Sequence, residues 1–290
     1  MHVVIAVAMY TASMGSIWII TDNGGVMRRE LLHIYGPFSI CSFGLFIVIG
    51  LFVFVKLIEK HPLFRRLGLE DKFLKVLVAG VLSALVGGRI LSIISYPEAF
   101  ESVWQMISPW EPGYSIMGTI MAVALVVPYY LKRLGVPILP FLDLVALYAP
   151  LLQSISRIGC FCAGCCHGAS TVLPWGITYT DPQSSAPLHV RLHPSQLYSS
   201  VALFGVFLFL FFVVQRKVRR PGQLAAAYLM LVSLERFVVD FFRGDRVEVP
   251  GIAGGFFSID QLVALLILVV STIFFIGTLF FGTCKGAHQQ

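Results

Sequence analysis

The stretch "SRIGCFCAGCCHG", residues 156–168, sets Cys160, Cys162, Cys165, Cys166 and His167 directly behind Arg157. Four kinds of chemistry suit such a run. Zinc is one, but it takes four ligands, and structural sites draw them from two separated pairs. Here every candidate is crowded within eight residues and no second cluster follows, so no metal site is assigned. A disulfide suits an oxidising compartment, although the adjacent Cys165 and Cys166 would make a strained bridge. A reactive thiol is a third option, because the Arg157 guanidinium favours a thiolate. The leading reading is the fourth, a compact turn. Gly159, Gly164 and Gly168 allow close approach and unusual backbone angles, and small cysteines fill the space.

A second constellation is "LERFVVDFFRGD", residues 234–245. On a helix, Arg236 and Asp240 share a face, as do Asp240 and Arg243. This spacing predicts an Arg–Asp–Arg ladder, or one in which a guanidinium is left over to grip a phosphate, which its planar fork suits. Arginines outnumber the adjacent acid Asp240, with Glu235 free to face elsewhere, and that excess favours an anionic ligand. Arg89 in "VGGRILSIIS" and His193 in "RLHPSQLYSS" are further polar groups among apolar neighbours. Asp143, Gln153 and Gln196 read as bonds to neighbouring helices, as buried polar groups usually are. Gln196 and Tyr198 also lie close enough to the outer face to touch a ligand.

The elements that carry these groups follow from composition. Of 290 residues 57% are hydrophobic and 12% charged, and mean hydropathy is +0.85. A soluble domain carries about 25% charged residues, so the chain reads as an integral membrane protein. Apolar runs fall near 38–57, 74–96, 114–131, 137–157, 195–214, 223–243 and 258–282. At about 20 residues per span, the fold class is an all-α polytopic integral membrane protein. It has seven or eight transmembrane helices and a small outward-facing loop region. Residues 34–284 form one unit without repeats. Residues 1–33 have two readings, an extra span or sequence upstream of a start at Met27. Lys and Arg cluster in 56–75, 131–135 and 215–222, alternate loops that should face the cytoplasm. The net charge of +6 therefore sets topology and does not call for nucleic acid. Charges within spans cost a few kcal/mol each on insertion scales, and this topology gathers Arg89, Arg157, Arg236 and Arg243 near the outer leaflet.

At these residues the chain resembles the phosphatidylglycerol–prolipoprotein diacylglyceryl transferase family. Arg157, Gly159, Phe161, Gly164 and Gly168 match the family's arginine signature, and "PWGITYT", "RLHPSQLYSS", "ERFVVDFFRGD" and "FSIDQL" match later motifs in order. Four positions depart from the family pattern: Phe43 for a tyrosine, Met117 for a histidine, Cys160 for an asparagine and Ser199 for a glutamate. The resemblance implies transfer of a diacylglyceryl group from phosphatidylglycerol to the lipobox cysteine of a prolipoprotein. That reaction would run without a cofactor, at the extracytoplasmic face of the bacterial inner membrane. It implies Arg157 on the lipid phosphate, Arg236 at the leaving group and His193, or else His167, as base. Arg243, Arg89, Gln196, Tyr198, Gly168 and Cys160 would line the substrate, supported by Asp240, Glu235, Gln153 and Asp143. Two rivals use the same residues. One is a divergent member of the fold with another acceptor or no transfer activity. The other is a metal-binding membrane protein or transporter that loses zinc when Cys160 and Cys162 are replaced.

Overall fold

The computed structural model describes residues 30–35, 38–100, 102–108, 113–247 and 256–280. The apolar stretch 1–20, read as an eighth span or an upstream segment, lies outside them. The described chain starts as a hairpin, β1 (Glu30–Tyr35) antiparallel to β2 (Phe38–Cys41), and continues directly into α1 (Ser42–Lys60). A short α2 (Pro62–Arg66) leads to α3 (Phe73–Ser95), then to α4 (Val103–Ile107), α5 (Ile116–Arg133) and α6 (Ile138–Ala163). The outer loop after α6 pairs β3 (Ile177–Thr178) with β4 (Arg191–Leu192). The remaining helices are α7 (Ser195–Lys217), α8 (Gln223–Asp240) and α9 (Ile259–Phe280).

Two sequence expectations need correction. The fold is helical but not all-α, because two short strand pairs satisfy backbone groups where the chain leaves the helices. The apolar run at 38 opens as a strand, a distinction hydropathy alone does not make for short runs. Also, α6 continues to Ala163, past the apolar run expected to end near 157, so Arg157 lies within the helix. Among the described residues five helices are long and apolar enough to cross a membrane: α1, α3, α6, α7 and α9, with mean hydropathy between 1.7 and 2.8. The 18-residue helices α5 and α8 are shorter and carry charges, Lys132 and Arg133 on one and Glu235, Arg236 and Asp240 on the other.

The bundle is apolar at one end and polar at the other. Phe54, Ile58, Leu69, Leu131, Leu144 and Leu210 pack into one buried core at the end that carries the basic loops. Arg220 caps the last turn of α9 there, its Nη1 donating to the carbonyls of Leu279 (3.1 Å) and Thr278. Asp143 ties α6 to α8 at the same end, accepting from the Gly222 and Ala225 amides at 2.6 and 2.8 Å. These are orphan amides at a helix start, so Asp143→Ala should lower stability by about 1 kcal/mol, seen as a lower Tm in detergent with transfer unchanged below it. Gly87 and Gly118 let α3 and α5 touch: a Cβ on Gly118 would stand 2.3 Å from the Gly87 carbonyl oxygen.

Candidate functional site

At the opposite end the buried groups are polar, and the geometry starts from the end of α6. Gly164 caps that helix in the left-handed region (φ +74°), where a Cβ would meet Ser184 Oγ at 1.9 Å. The chain then reverses through Cys166, a non-glycine also held at positive φ (+56°). Beyond it, the segment 167–169 zips onto the end of α8. Ala169 N donates to the Phe242 carbonyl at 2.9 Å, and Gly244 N donates to the His167 carbonyl at 3.0 Å. Gly168 sits in this pairing with no room for a side chain, since a Cβ would lie 2.2 Å from the His193 carbonyl oxygen. Backbone cannot yield as a side chain can, so Gly168→Ala should cost about 2 kcal/mol of local packing and displace Arg243, lowering transfer as well as Tm.

This pairing brings Arg157 of α6 to Arg236 and Arg243 of α8 and its exit. The three arginines line one cavity with Cys166, Ser195, Gln196, Ser199 and Val239. Its empty space, open solvent at the mouth included, is about 180 Å³, too little to enclose a whole lipid. The acyl chains of any lipid bound there must lie outside it. Arg157 makes no hydrogen bond or ion pair among the described residues. The other two are held: Arg236 Nη2 pairs with Asp260 Oδ2 at 2.5 Å, and Arg243 forks onto Asp245 at 2.9 and 2.6 Å. The Arg–Asp–Arg ladder expected from spacing is therefore corrected in part: Asp240 keeps Arg243 at 4.0 Å, but Arg236 turns to Asp260. Asp240 is fully buried, accepts from Ser258 Oγ at 2.5 Å, and stands 3.6 Å from Arg246 and 4.0 Å from Arg243. Partners from the loop after α8 (Asp245, Arg246) and from the start of α9 (Ser258, Asp260) carry most of the pairing.

Gln196 is 1% exposed, and its Nε2 donates to the Cys165 carbonyl at 2.9 Å while its Oε1 has no partner. Ser199, where the family pattern has a glutamate, donates to the buried carboxylate of Glu235, so α8 supplies an acid at that place. Gln153 keeps an unpartnered Oε1 in the helix interior. Burial pushes the Tyr179 phenol, which donates to the Phe161 carbonyl, well above its usual range. The thiol sulfurs of Cys160, Cys165 and Cys166 lie within 4.8 Å of one another, whereas Cys162 is not among them. Within this trio the Cys166 thiol is pulled far down, first by hydrogen bonds to Cys160 and Cys165, then by the charges of Arg243 and Arg157. The Cys165 thiol is pushed up by its hydrogen bonds to the same two neighbours, then by burial.

Several expected site residues stand elsewhere. Arg89 is buried, and its guanidinium donates to the carbonyls of Met106 (3.0 Å), Gly113 (3.0 Å), Ser108 (3.3 Å) and Gln105, beneath the rings of Phe100 and Tyr114. It holds the α3–α5 loop and does not line the cavity. His193 packs edge-on against Tyr198 and Phe242, with its Nδ1 3.4 Å from Tyr198 Oη, and Tyr198 Oη accepts from Trp175 at 2.8 Å. Neither residue lines the cavity, so neither takes its expected place there. His167 Nδ1 is engaged with the Gly168 carbonyl oxygen at 3.1 Å. Asp260, Asp245, Arg246 and Ser258 were not anticipated. Ser258 and Gln261 form a reciprocal cap on α9, with Gln261 N donating to Ser258 Oγ at 3.1 Å and Ser258 N donating to Gln261 Oε1 at 3.0 Å. The S-x-x-Q pattern in "FSIDQL" is the signal for it.

Fold and site together define a polytopic membrane protein with a polar, arginine-lined cavity at one end of its helix bundle. Its family is equally definite. A model described as "Prolipoprotein diacylglyceryl transferase" matches residues 29–277, and the chain belongs to that family of transferases. A relative from Clostridium tetani, named phosphatidylglycerol–prolipoprotein diacylglyceryl transferase, is 30% identical, covering 86% of this chain and 97% of its own. One of the same name, numbered 2, from Clostridium perfringens is 32% identical over 84% and 92%. A further one from Thermotoga maritima is 27% identical over 88% and 86%.

Proposed function

We propose that the protein moves a diacylglyceryl group from phosphatidylglycerol to the lipobox cysteine thiol of a prolipoprotein, at the extracytoplasmic face of the bacterial inner membrane. In this reading α5 and α8 join the five longer helices as spans, which makes seven. The observation that carries it is Arg157, a guanidinium with no hydrogen bond or ion pair among the described residues, in a cavity lined also by Arg236 and Arg243. Sulfur attacks the glyceryl carbon next to the phosphate. A C–S bond forms, the C–O bond breaks, and the electron pair leaves on glycerol 1-phosphate. Negative charge grows on the departing oxygen, and preorganised cationic donors stabilise such charge best in a site shielded from water. Arg157 binds the phosphate through its free fork, Arg236 sits at the leaving oxygen, and Arg243 is fixed by Asp245 as a supporting charge.

The basic loops at the apolar-core end support the orientation, since cytoplasmic loops carry the lysine and arginine excess. The test is direct. Purified protein with labelled phosphatidylglycerol and a lipobox peptide should yield a thioether-linked product and glycerol 1-phosphate. Phosphatidylethanolamine serves as the comparison lipid. If no thioether forms with any phospholipid, the divergent-member reading replaces this one.

A further inference from the structure

We propose that Cys160, Cys165 and Cys166 hold one zinc ion whose fourth position opens to the arginine-lined cavity, where the thiol of the acceptor cysteine completes the coordination. The three-thiol site stands on geometry, whereas the identity of the fourth ligand rests on the transfer reading. Zn–S bonds of about 2.3 Å place tetrahedral sulfurs about 3.8 Å apart. The three sulfurs already lie within 4.8 Å of one another, so closing on an ion needs shifts of about 1 Å or less. The arrangement depends on backbone that is costly to make. Gly164 ends α6 in the left-handed region and Cys166 adopts it without being glycine, which folds Cys165 and Cys166 back onto Cys160 of the helix. Sequence spacing argued against zinc because it counted separated pairs, whereas the reversal at Gly164 makes a compact three-ligand set.

An odd number of thiols also favours an ion over a disulfide, since any one bridge would leave the third sulfur out. Three protein ligands with one open position is the pattern of catalytic zinc, not of structural zinc. Cys166 lines the cavity, so the open side faces the substrates. Three thiolates on a divalent ion leave a net negative charge, which Arg157 and Arg243 beside it offset. Gln196 lines the same cavity and carries a buried Oε1 that has no partner among the described residues.

The need for such a site is chemical. Alkylating a thiol is fastest through the thiolate; of the cavity's lining residues, Arg157, Arg236 and Arg243 are no bases, and Cys166 is committed to the ion. Met117 stands where the family pattern has histidine, and neither His193 nor His167 lines the cavity. A thiol that coordinates zinc is deprotonated outright. Its proton passes to bulk water, and its sulfur then supplies the electron pair for the C–S bond.

The experiment measures metal content of the full-length purified protein by mass spectrometry alongside transfer. One zinc per chain is expected, falling to background in Cys160→Ser and Cys166→Ser and retained in Cys162→Ser. Absence of zinc from the parent protein, its persistence in the variant lacking all three thiols, or a disulfide within the trio would overturn the proposal. In cobalt-substituted protein the sulfur-to-cobalt charge-transfer band should grow on adding lipobox peptide, and not on adding its Cys→Ser version. An unchanged band excludes the open fourth position. The two readings fail separately. Stoichiometric zinc without thioether product leaves the site and removes the transfer reading, whereas full transfer by metal-free protein does the reverse.

Discussion

Arg157→Ala should lower transfer by about two to three orders of magnitude, the cost of removing one preorganised donor from a developing oxyanion, while the protein inserts and melts like the parent. The two halves of this expectation have one origin. Arg157 makes no hydrogen bond or ion pair among the described residues, so its removal breaks no bond in the resting protein and takes a neighbouring charge away from Cys166. Its neighbours differ. Removing Arg236 also strands Asp260, which is 47% exposed and readily hydrated, and removing Arg243 leaves Asp245 without its fork and takes a cation from buried Asp240. Arg157 is thus the position at which activity and stability separate most cleanly. Arg157→Lys keeps the charge but loses the planar fork, and should fall between parent and alanine variant. Near-parent transfer by Arg157→Ala, measured as the rate of thioether formation at saturating lipid, would remove the phosphate-binding assignment.

How much of this was legible in the chain depended on the range of the interaction. Hydropathy located every long helix, because a span is a local property of about 20 residues. The basic loops were equally plain, and they put the polar groups at the far end. Arg157, Arg236 and Arg243 were found as cations where lipid should be, and the structure does bring them to one cavity. Their partners were not legible. The rule that residues one turn apart interact linked Arg236 to Asp240, but the carboxylate that reaches Arg236 is Asp260 from α9, twenty-four positions on. Arg89 misled for a related reason: its acceptors are carbonyls of the α3–α5 loop, and a backbone carbonyl leaves no mark in residue type. The hairpin of β1 and β2 escaped because a short apolar run has no period to read. The thiol trio escaped because linear spacing does not show the reversal at Gly164.

Asp240→Ala should be the most destabilising single change at the site, by about 3–5 kcal/mol, the range for breaking a buried charge pair from one side. Asp240 ends α8 with no solvent exposure, and three elements converge on it: Ser258 at the start of α9, Arg246 in the intervening loop, and Arg243. Without the carboxylate, the Arg246 Nε, which already has no hydrogen-bond partner, loses its nearest anion, and Ser258 loses the acceptor that ties its cap to α8. The consequence reaches the cavity, because the Arg243 backbone lies against Gly168 and its side chain lines the site. Asp240→Asn keeps an oxygen for Ser258 and loses only the charge, so it should cost less. Unfolding in detergent, followed by tryptophan fluorescence against denaturant, gives the ranking: parent, then asparagine, then alanine, with transfer falling in the same order. If alanine at 240 melts with the parent, the buried carboxylate is not what joins α8 to α9, and the placement of Arg243 must have another cause.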